Sequence, residues 1–216
     1  MNGIIQELKC LLKTKSIGTD SDRALLLDFQ ATLETKPEKA IKLEKDALAQ
    51  IETITVDNAR LVSNLHANLG GLYRMNGHPD LAREHMEKSI SLLDQFNLLH
   101  INDSIPQIAN YAMFLTEQQE PERGISELQK LSGIIKEYHS DDCLDYAKVQ
   151  ETLGTIYLMT ANLPQAKTHF KRAFKIYEKI WADEPEMIEA KYQEIQELYP
   201  QIGFCIGKNL SGLLTK

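Results

Sequence analysis

Two short stretches decide the fold: Leu69-Gly70-Gly71-Leu72-Tyr73 and Leu153-Gly154-Thr155-Ile156-Tyr157. In each, a glycine follows a leucine and precedes a tyrosine by three residues, and the two stretches start 84 positions apart. Glycine inside a helix costs about 1 kcal/mol relative to alanine, and close contact with a second helix would offset that cost. The two stretches therefore predict equivalent helices that each pack tightly against a partner helix.

Other residues recur at half of this spacing. Pro37, Pro79 and Pro121 follow one another at intervals of 42 residues, and an acidic residue follows each proline. Proline is tolerated in the first turn of a helix, where an acidic side chain also suits the positive end of the helix dipole. The prolines therefore predict where the second helix of each repeating unit starts. Small residues recur at the same interval at four positions: Ala40, Ala82, Gly124 and Ala166.

The repeat predicts an all-α array of paired helices that share one interior. We expect a single domain over residues 1–216, because no Gly/Ser-rich or Pro-rich linker interrupts the spacing. Its parts are a capping helix in 1–20, four 42-residue units in 21–182, and a partial unit with a capping helix in 183–216. The helix pairs are expected at 21–35 and 37–54, 57–76 and 79–96, 102–118 and 121–138, and 142–161 and 164–182.

Both ends of the chain carry apolar residues at helical spacing. Because a stacked array otherwise ends in an exposed apolar face, we interpret both stripes as caps. The alternative is that one stripe stays exposed and mediates self-association or the docking of a partner. The stripes consist of Ile4, Ile5, Leu8, Leu11 and Leu12, and of Ile202, Ile206, Leu210, Leu213 and Leu214.

These residues resemble the tetratricopeptide repeat. The matching motifs are Leu69-Gly70-x-x-Tyr73 with Ala82, and Leu153-Gly154-x-x-Tyr157 with Ala166, Phe170 and Ala173. The common repeat has about 34 residues, and the longer unit found here is similar to the kinesin-light-chain-like subgroup. In the first unit, Asp28 stands where glycine or alanine is expected. The resemblance implies a right-handed superhelical solenoid of antiparallel helix pairs.

The resemblance also implies that a protein or peptide segment binds in a concave groove lined by the first helices. Asn68 and Asn110 occupy the same phase of consecutive units, and an amide that donates and accepts can pair with any peptide bond. The same asparagines could instead be solvated or pack between helices. Met75 and Met159 are expected in the core rather than the groove. The predicted groove residues are Asn64, Asn68, Asn110, Arg74, Lys148 and Glu151.

Composition narrows the function. A net charge of −7 argues against a nucleic-acid partner. Three widely spaced cysteines favour a reducing compartment over a disulfide framework. The first residues lack the pattern of a secretory signal, and no apolar run reaches the roughly 20 residues that span a bilayer. We expect a cytoplasmic protein without a membrane partner.

No catalytic, cofactor or metal site is predicted. The six histidines are scattered along the sequence, and the polar cluster 139–143 is interpreted as a helix cap in which serine or aspartate is the capping residue. The sequence therefore predicts a non-catalytic scaffold or adaptor that binds a protein or peptide. The alternatives are a peptide-sensing regulatory protein that acts on an output partner in trans, and a self-associating structural adaptor.

Overall fold

The computed structural model describes residues 18–101 and 104–198. Both apolar stripes, with residues 1–17 and 199–216 of the predicted terminal segments, lie outside these residues. Within them the chain forms nine α-helices and no strand. The helices are α1 (Asp20–Thr32), α2 (Pro37–Leu48), α3 (Ala59–Met75), α4 (Pro79–Gln95), α5 (Ser104–Glu117), α6 (Pro121–Tyr138), α7 (Leu144–Met159), α8 (Leu163–Ile180) and α9 (Pro185–Leu198).

The prolines mark the second helices, as the repeat predicts. Helices α2, α4 and α6 begin at Pro37, Pro79 and Pro121, each with an acidic residue in its first turn. The fourth unit departs by one residue, because α8 begins at Leu163 and Pro164 follows in its first turn. The predicted fold class, an all-α solenoid of antiparallel helix pairs, is confirmed.

The chain divides into two compact units between Tyr111 and Ala112, which are neighbours within α5. Among the described residues, the first unit holds α1 to α4 and the first part of α5. The second unit holds the rest of α5 and α6 to α9. The boundary of a single domain over 1–216 stays a prediction.

The predicted close contact between helices is found at the three glycines of the repeat, Gly70, Gly124 and Gly154. A methyl group added at Gly70 would lie 2.6 Å from Met86 Cγ and 3.3 Å from the carbonyl oxygen of Ala82, both on α4. One added at Gly154 would lie 2.9 Å from the ring of Phe170 on α8. No side chain fits in either gap, so glycine is required by packing rather than by backbone conformation.

The third pair reaches the same closeness with the small residues exchanged. Ala112 takes the place of the first-helix glycine, and Gly124 on α6 faces it. A methyl group at Gly124 would lie 2.7 Å from the carbonyl oxygen of Ala112. One residue without a side chain on either helix is therefore enough to permit the contact.

The turns that follow α3, α5 and α7 share a backbone conformation that was not predicted from the sequence. Gly77, Gln119 and Ala161 are spaced by 42 residues and all have positive φ angles of 72°, 65° and 59°. In each turn the next N–H donates to a carbonyl five residues earlier, as in His78 N–H to Tyr73 at 3.0 Å. This left-handed residue closes the helix and reverses the chain. Only the first of the three is a glycine, which hid the pattern from sequence reasoning.

The cap interpretation of residues 139–143 is wrong about the capping residue. The N-cap of α7 is Cys143, whose Sγ accepts from the N–H of Tyr146 at 3.4 Å. Ser140 instead accepts from the N–H of Asp142, and Asp142 pairs with Lys179 on α8. The serine and aspartate side chains therefore serve the loop and the neighbouring helix.

Two adjacent glycines of α3 should respond oppositely to the same substitution. Gly70→Ala should lower the free energy of unfolding by about 1–3 kcal/mol, since the methyl group meets Met86 and the α4 backbone. Gly71→Ala should raise it by about 0.5–1 kcal/mol, since no atom lies within 4 Å of the new carbon. Urea unfolding of both variants measures the difference, and equal shifts would contradict the packing account.

Candidate functional site

The predicted groove residues fall on the first helices. Asn64, Asn68 and Gly71 follow one another at spacings of four and three residues, and Arg74 and Met75 both lie about one turn after Gly71, which places the five on one side of α3. We call this set the α3 face. Asn110 lies on α5 in the first unit, where its side chain is exposed. The two remaining predicted residues, Lys148 and Glu151, lie on α7 in the second unit.

Asn68 is held by two carboxyl groups of the first helix pair. Its Nδ2 donates to Asp28 Oδ1 at 2.8 Å and to Glu44 Oε1 at 3.3 Å. Both bonds use the amide nitrogen, which directs the carbonyl oxygen away from the pair. Asn68 therefore links α3 to α1 and α2, in addition to any role it has in binding.

The two carboxyl groups replace the glycine contact of the other pairs. Asp28 lies 42 residues before Gly70, and Glu44 lies 42 residues before Met86. Glu44 is only 2% exposed, and its Oε2 has no hydrogen-bond partner among the described residues. Burial, followed by the nearby charge of Asp28, raises the pKa of Glu44 to about 9. The Glu44 carboxyl is therefore neutral at pH 7.

Asn64 belongs to a second polar network that joins three helices of the first unit. Its Oδ1 accepts from Gln107 Nε2 at 2.6 Å. Gln107 Oε1 in turn accepts from the hydroxyls of Ser63 and Ser89, which are buried on α3 and α4. These bonds fasten α5 to the preceding pair, so Asn64 has a packing role in addition to any role in the predicted groove.

Glu151 has an equivalent structural role in the second unit. Tyr177 on α8 donates to Glu151 Oε2 at 2.6 Å, and Lys191 on α9 lies 2.8 Å from Oε1. Burial favours the neutral amine of Lys191, but the bonds to Glu151 and Glu194 outweigh it and raise its pKa. Lys148 is more exposed and pairs with Asp145 at 3.8 Å, one turn earlier on the same helix. Of the two predicted groove residues on α7, only Lys148 extends into solvent.

The expectation that Met75 and Met159 lie in the core is wrong. Their side chains are 82% and 45% exposed. Each is the last residue of its helix, α3 or α7. At that position the chain is already turning away from the partner helix, so an apolar side chain finds no packing surface.

Comparison with known proteins matches part of the chain to a repeat family. Residues 104–179 match the family model described as Tetratricopeptide repeat. This segment therefore carries tetratricopeptide repeats. The matched segment runs from the start of α5 nearly to the end of α8, so it spans two helix pairs. No curated protein matches the chain.

Solved structures share the fold at low identity. The crystal structure of BtubC (BKLC) from P. vanneervenii matches with a TM-score of 0.74 and 17% identity over 98% of this chain and 87% of that one. A putative kinesin light chain from Podosopora anserina, with nearly identical TPR-like repeats, matches with a TM-score of 0.68 and 15% identity over 84% of this chain and 90% of that one. MamA matches with a TM-score of 0.57 and 15% identity over 82% of this chain and 89% of that one. The fold is therefore that of kinesin-light-chain-like helical repeats.

No helix among the described residues is both long and apolar enough to cross a membrane.

Substitution of Asn68 and of Asn110, the two asparagines predicted to bind a peptide backbone, should affect stability differently. Asn68→Ala should lower the free energy of unfolding by about 1–3 kcal/mol, because the substitution removes a donor from two partly buried carboxyls. Asn110→Ala should change it by less than about 0.5 kcal/mol, because its side chain is exposed. Thermal and urea unfolding test both; an Asn68 variant as stable as the wild type would show that the network is not formed.

The buried carboxyl pair should make the protein less stable at alkaline pH. The pKa of Glu44 is raised from 4.5 to about 9 on folding, so its contribution to stability is fully present below pH 4.5 and is lost as the pH rises through 9. The free energy of unfolding should therefore fall between pH 7 and 9. The pKa values of His66, His85 and His169 are lowered by burial and lie below this window.

The matched variants are Glu44→Gln, which removes the buried carboxyl, and Asp46→Asn, which removes an exposed one from the same helix. Urea unfolding at several pH values should give a flatter profile for Glu44→Gln, and the wild-type profile for Asp46→Asn. Parallel profiles for all three proteins would exclude the carboxyl pair as the cause.

Proposed function

We propose that the chain is a non-catalytic scaffold that binds an extended protein or peptide segment along its first helices. The observation that carries this proposal is Gly71, at the centre of the α3 face. A methyl group added there would have no neighbour within 4 Å, whereas the adjacent Gly70 is filled by α4. The chain itself gives no packing reason for a glycine at this position.

A glycine inside a helix destabilises it, so one without a packing role calls for another explanation. Close approach of a ligand backbone to the helix is such an explanation. Asn68 and Arg74 flank Gly71 at three residues on either side, and their polar groups suit the main chain of an extended segment. The α3 face thus combines open space with groups that recognise a peptide backbone.

The equivalent face of α1 supplies apolar surface in the same unit. Leu25 and Phe29 lie 42 residues before Ala67 and Gly71. Their side chains are 55% and 48% exposed, which is costly for large apolar groups in water. A partner that places apolar side chains against α1 and its backbone against α3 would use both surfaces.

The remaining features of the proposal follow the composition. We place the protein in the cytoplasm, because its three widely spaced cysteines favour a reducing compartment. Its partner is a protein or peptide rather than a nucleic acid, because the net charge of the chain is −7. The roles of peptide sensor and self-associating adaptor remain predictions. The binding residues that we retain for the first unit are Asn68, Asn110 and Arg74, with Gly71 added.

The test compares the same substitution, glycine to alanine, at Gly71 and at a control position, so that an effect on binding can be distinguished from an effect on folding. Peptides are selected from a random library on the immobilised wild-type chain, and their dissociation constants are measured by fluorescence anisotropy. Gly71→Ala should weaken binding at least fivefold although it stabilises the fold, because the methyl group occupies the space of the ligand backbone. Asn110→Ala should weaken it as well.

The control is Gly133→Ala on α6, a second helix. This glycine is exposed and, as at Gly71, no atom lies within 4 Å of an added methyl group, so the two variants share the substitution and its local stabilising effect. Gly133→Ala should bind like the wild type. Peptides whose affinity is indifferent to both Gly71→Ala and Asn110→Ala would refute the proposed groove.

A further inference from the structure

The fold brings together two histidines that are 19 positions apart in the sequence. His66 on α3 and His85 on α4 approach with their Nδ1 atoms 2.9 Å apart. The rings are half-buried and tilted by 35°, and Tyr73 stacks on His85 with ring centroids 5.4 Å apart. The tyrosine limits the movement of one ring. Stacking confines this ring to its plane but lets it turn within that plane, so the two nitrogens stay close while their directions can change.

The fourth repeat contains the same arrangement with one ring exchanged for an amide. Gln150 and His169 lie 84 residues after His66 and His85, and His169 Nδ1 is 2.9 Å from Gln150 Oε1. Tyr157 stacks on His169, as Tyr73 stacks on His85. A hydrogen bond between the two helices thus needs only one histidine. The second imidazole in the second repeat is more than this structural role requires.

The pair in the second repeat borders open space. A cavity of about 540 Å³ is lined by both histidines together with Glu84, Glu87, Lys88 and Ser91. An ion from solvent can therefore reach the rings.

The rings are also in the state that binds metals. Burial, then the neighbouring His85 and Lys88, lowers the pKa of His66 to about 4. Burial lowers the pKa of His85; the charge of Glu84 opposes this shift, and the charge of Lys45 adds to it. Both rings are neutral at pH 7, and a neutral imidazole is the form that coordinates a metal.

We propose that His66 and His85 form a two-imidazole site for a divalent transition metal of tetragonal preference, such as Ni²⁺ or Cu²⁺. Two metal–nitrogen bonds of about 2.0–2.1 Å at a right angle place their nitrogens about 2.9 Å apart. This is the separation found between the Nδ1 atoms. On binding, the ring that donates the shared hydrogen bond moves its proton to Nε2, and both Nδ1 lone pairs turn to the metal.

Water completes the coordination in this proposal. Among the residues that the structure describes, no group of three His, Cys, Asp or Glu side chains could hold a metal ion. The charges of Lys45 and Lys88 oppose a cation, and that of Glu84 favours it. We therefore expect a site of moderate affinity that selects for imidazole-binding metals and does not bind Mg²⁺ or Ca²⁺, which prefer oxygen ligands.

The test converts one repeat into the other. His66→Gln gives the second repeat the glutamine–histidine pair of the fourth, so the inter-helix hydrogen bond and the fold are retained. Isothermal titration of the full, untagged chain with Ni²⁺ should show binding at least tenfold tighter for the wild type than for His66→Gln. The remaining histidines and all cysteines are identical in the two proteins, so this difference belongs to the pair.

The reciprocal variant adds a site. Gln150→His should recreate the paired imidazoles in the fourth repeat and raise the Ni²⁺ stoichiometry of the high-affinity phase by one. Equal Ni²⁺ affinity of the wild type and His66→Gln, with both proteins folded by circular dichroism, would overturn the proposal. So would a wild-type chain that binds Mg²⁺ as tightly as Ni²⁺. The outcome does not depend on the peptide-binding groove, because His66 and His85 are not among the groove residues.

Discussion

The structure depends on a contact between paired helices that leaves no room for a side chain. In the second pair the missing side chain is at Gly70, in the fourth at Gly154, and in the third at Gly124, which lies on the opposite helix. Dispersion forces fall off steeply with distance, so this closeness determines how well the larger residues around it pack. Met86 and Phe170, which fill the space over the glycines, are 4% and 0% exposed. The 42-residue spacing persists because each pair must present the contact in the same place.

The first pair shows what happens when this contact is replaced. Asp28 and Glu44 bring two carboxyls to the position of glycine and methionine, and burial keeps the proton on Glu44. A buried polar group is tolerated only where hydrogen bonds compensate for lost water, and here the amide of Asn68 supplies them. A residue that sequence reasoning assigned to a ligand is thus also required by the fold of the first unit. Gly71, one turn further along α3, has no such packing role, and this is why the proposed peptide contact is placed there.

Polar side chains at otherwise apolar positions give each helix junction its own identity. Ser63, Ser89 and Gln107 form a hydrogen-bonded cluster at positions that hold Ala147, Ala173 and Val149 in later repeats. Hydrogen bonds have direction, whereas apolar contacts do not, so such a cluster fixes which helices meet and in what register. The His66–His85 and Gln150–His169 pairs have this effect within their repeats. In the second repeat, the inter-helix hydrogen bond needs only one of the two imidazoles, so the other is not required by this structural role.

The sequence by itself determined the fold class, the repeat length and the starts of the second helices. Each depends on a local constraint: glycine and alanine recur where helices touch, and proline fits only the first turn. Tertiary structure decided which polar residues are available to a partner. Asn64, Asn68 and Glu151 have the composition of a binding surface, but residues 24 to 43 positions away hold them in networks. The meeting of His66 with His85 was equally hidden, because a distance between two helices depends on how they pack and not on spacing along either one.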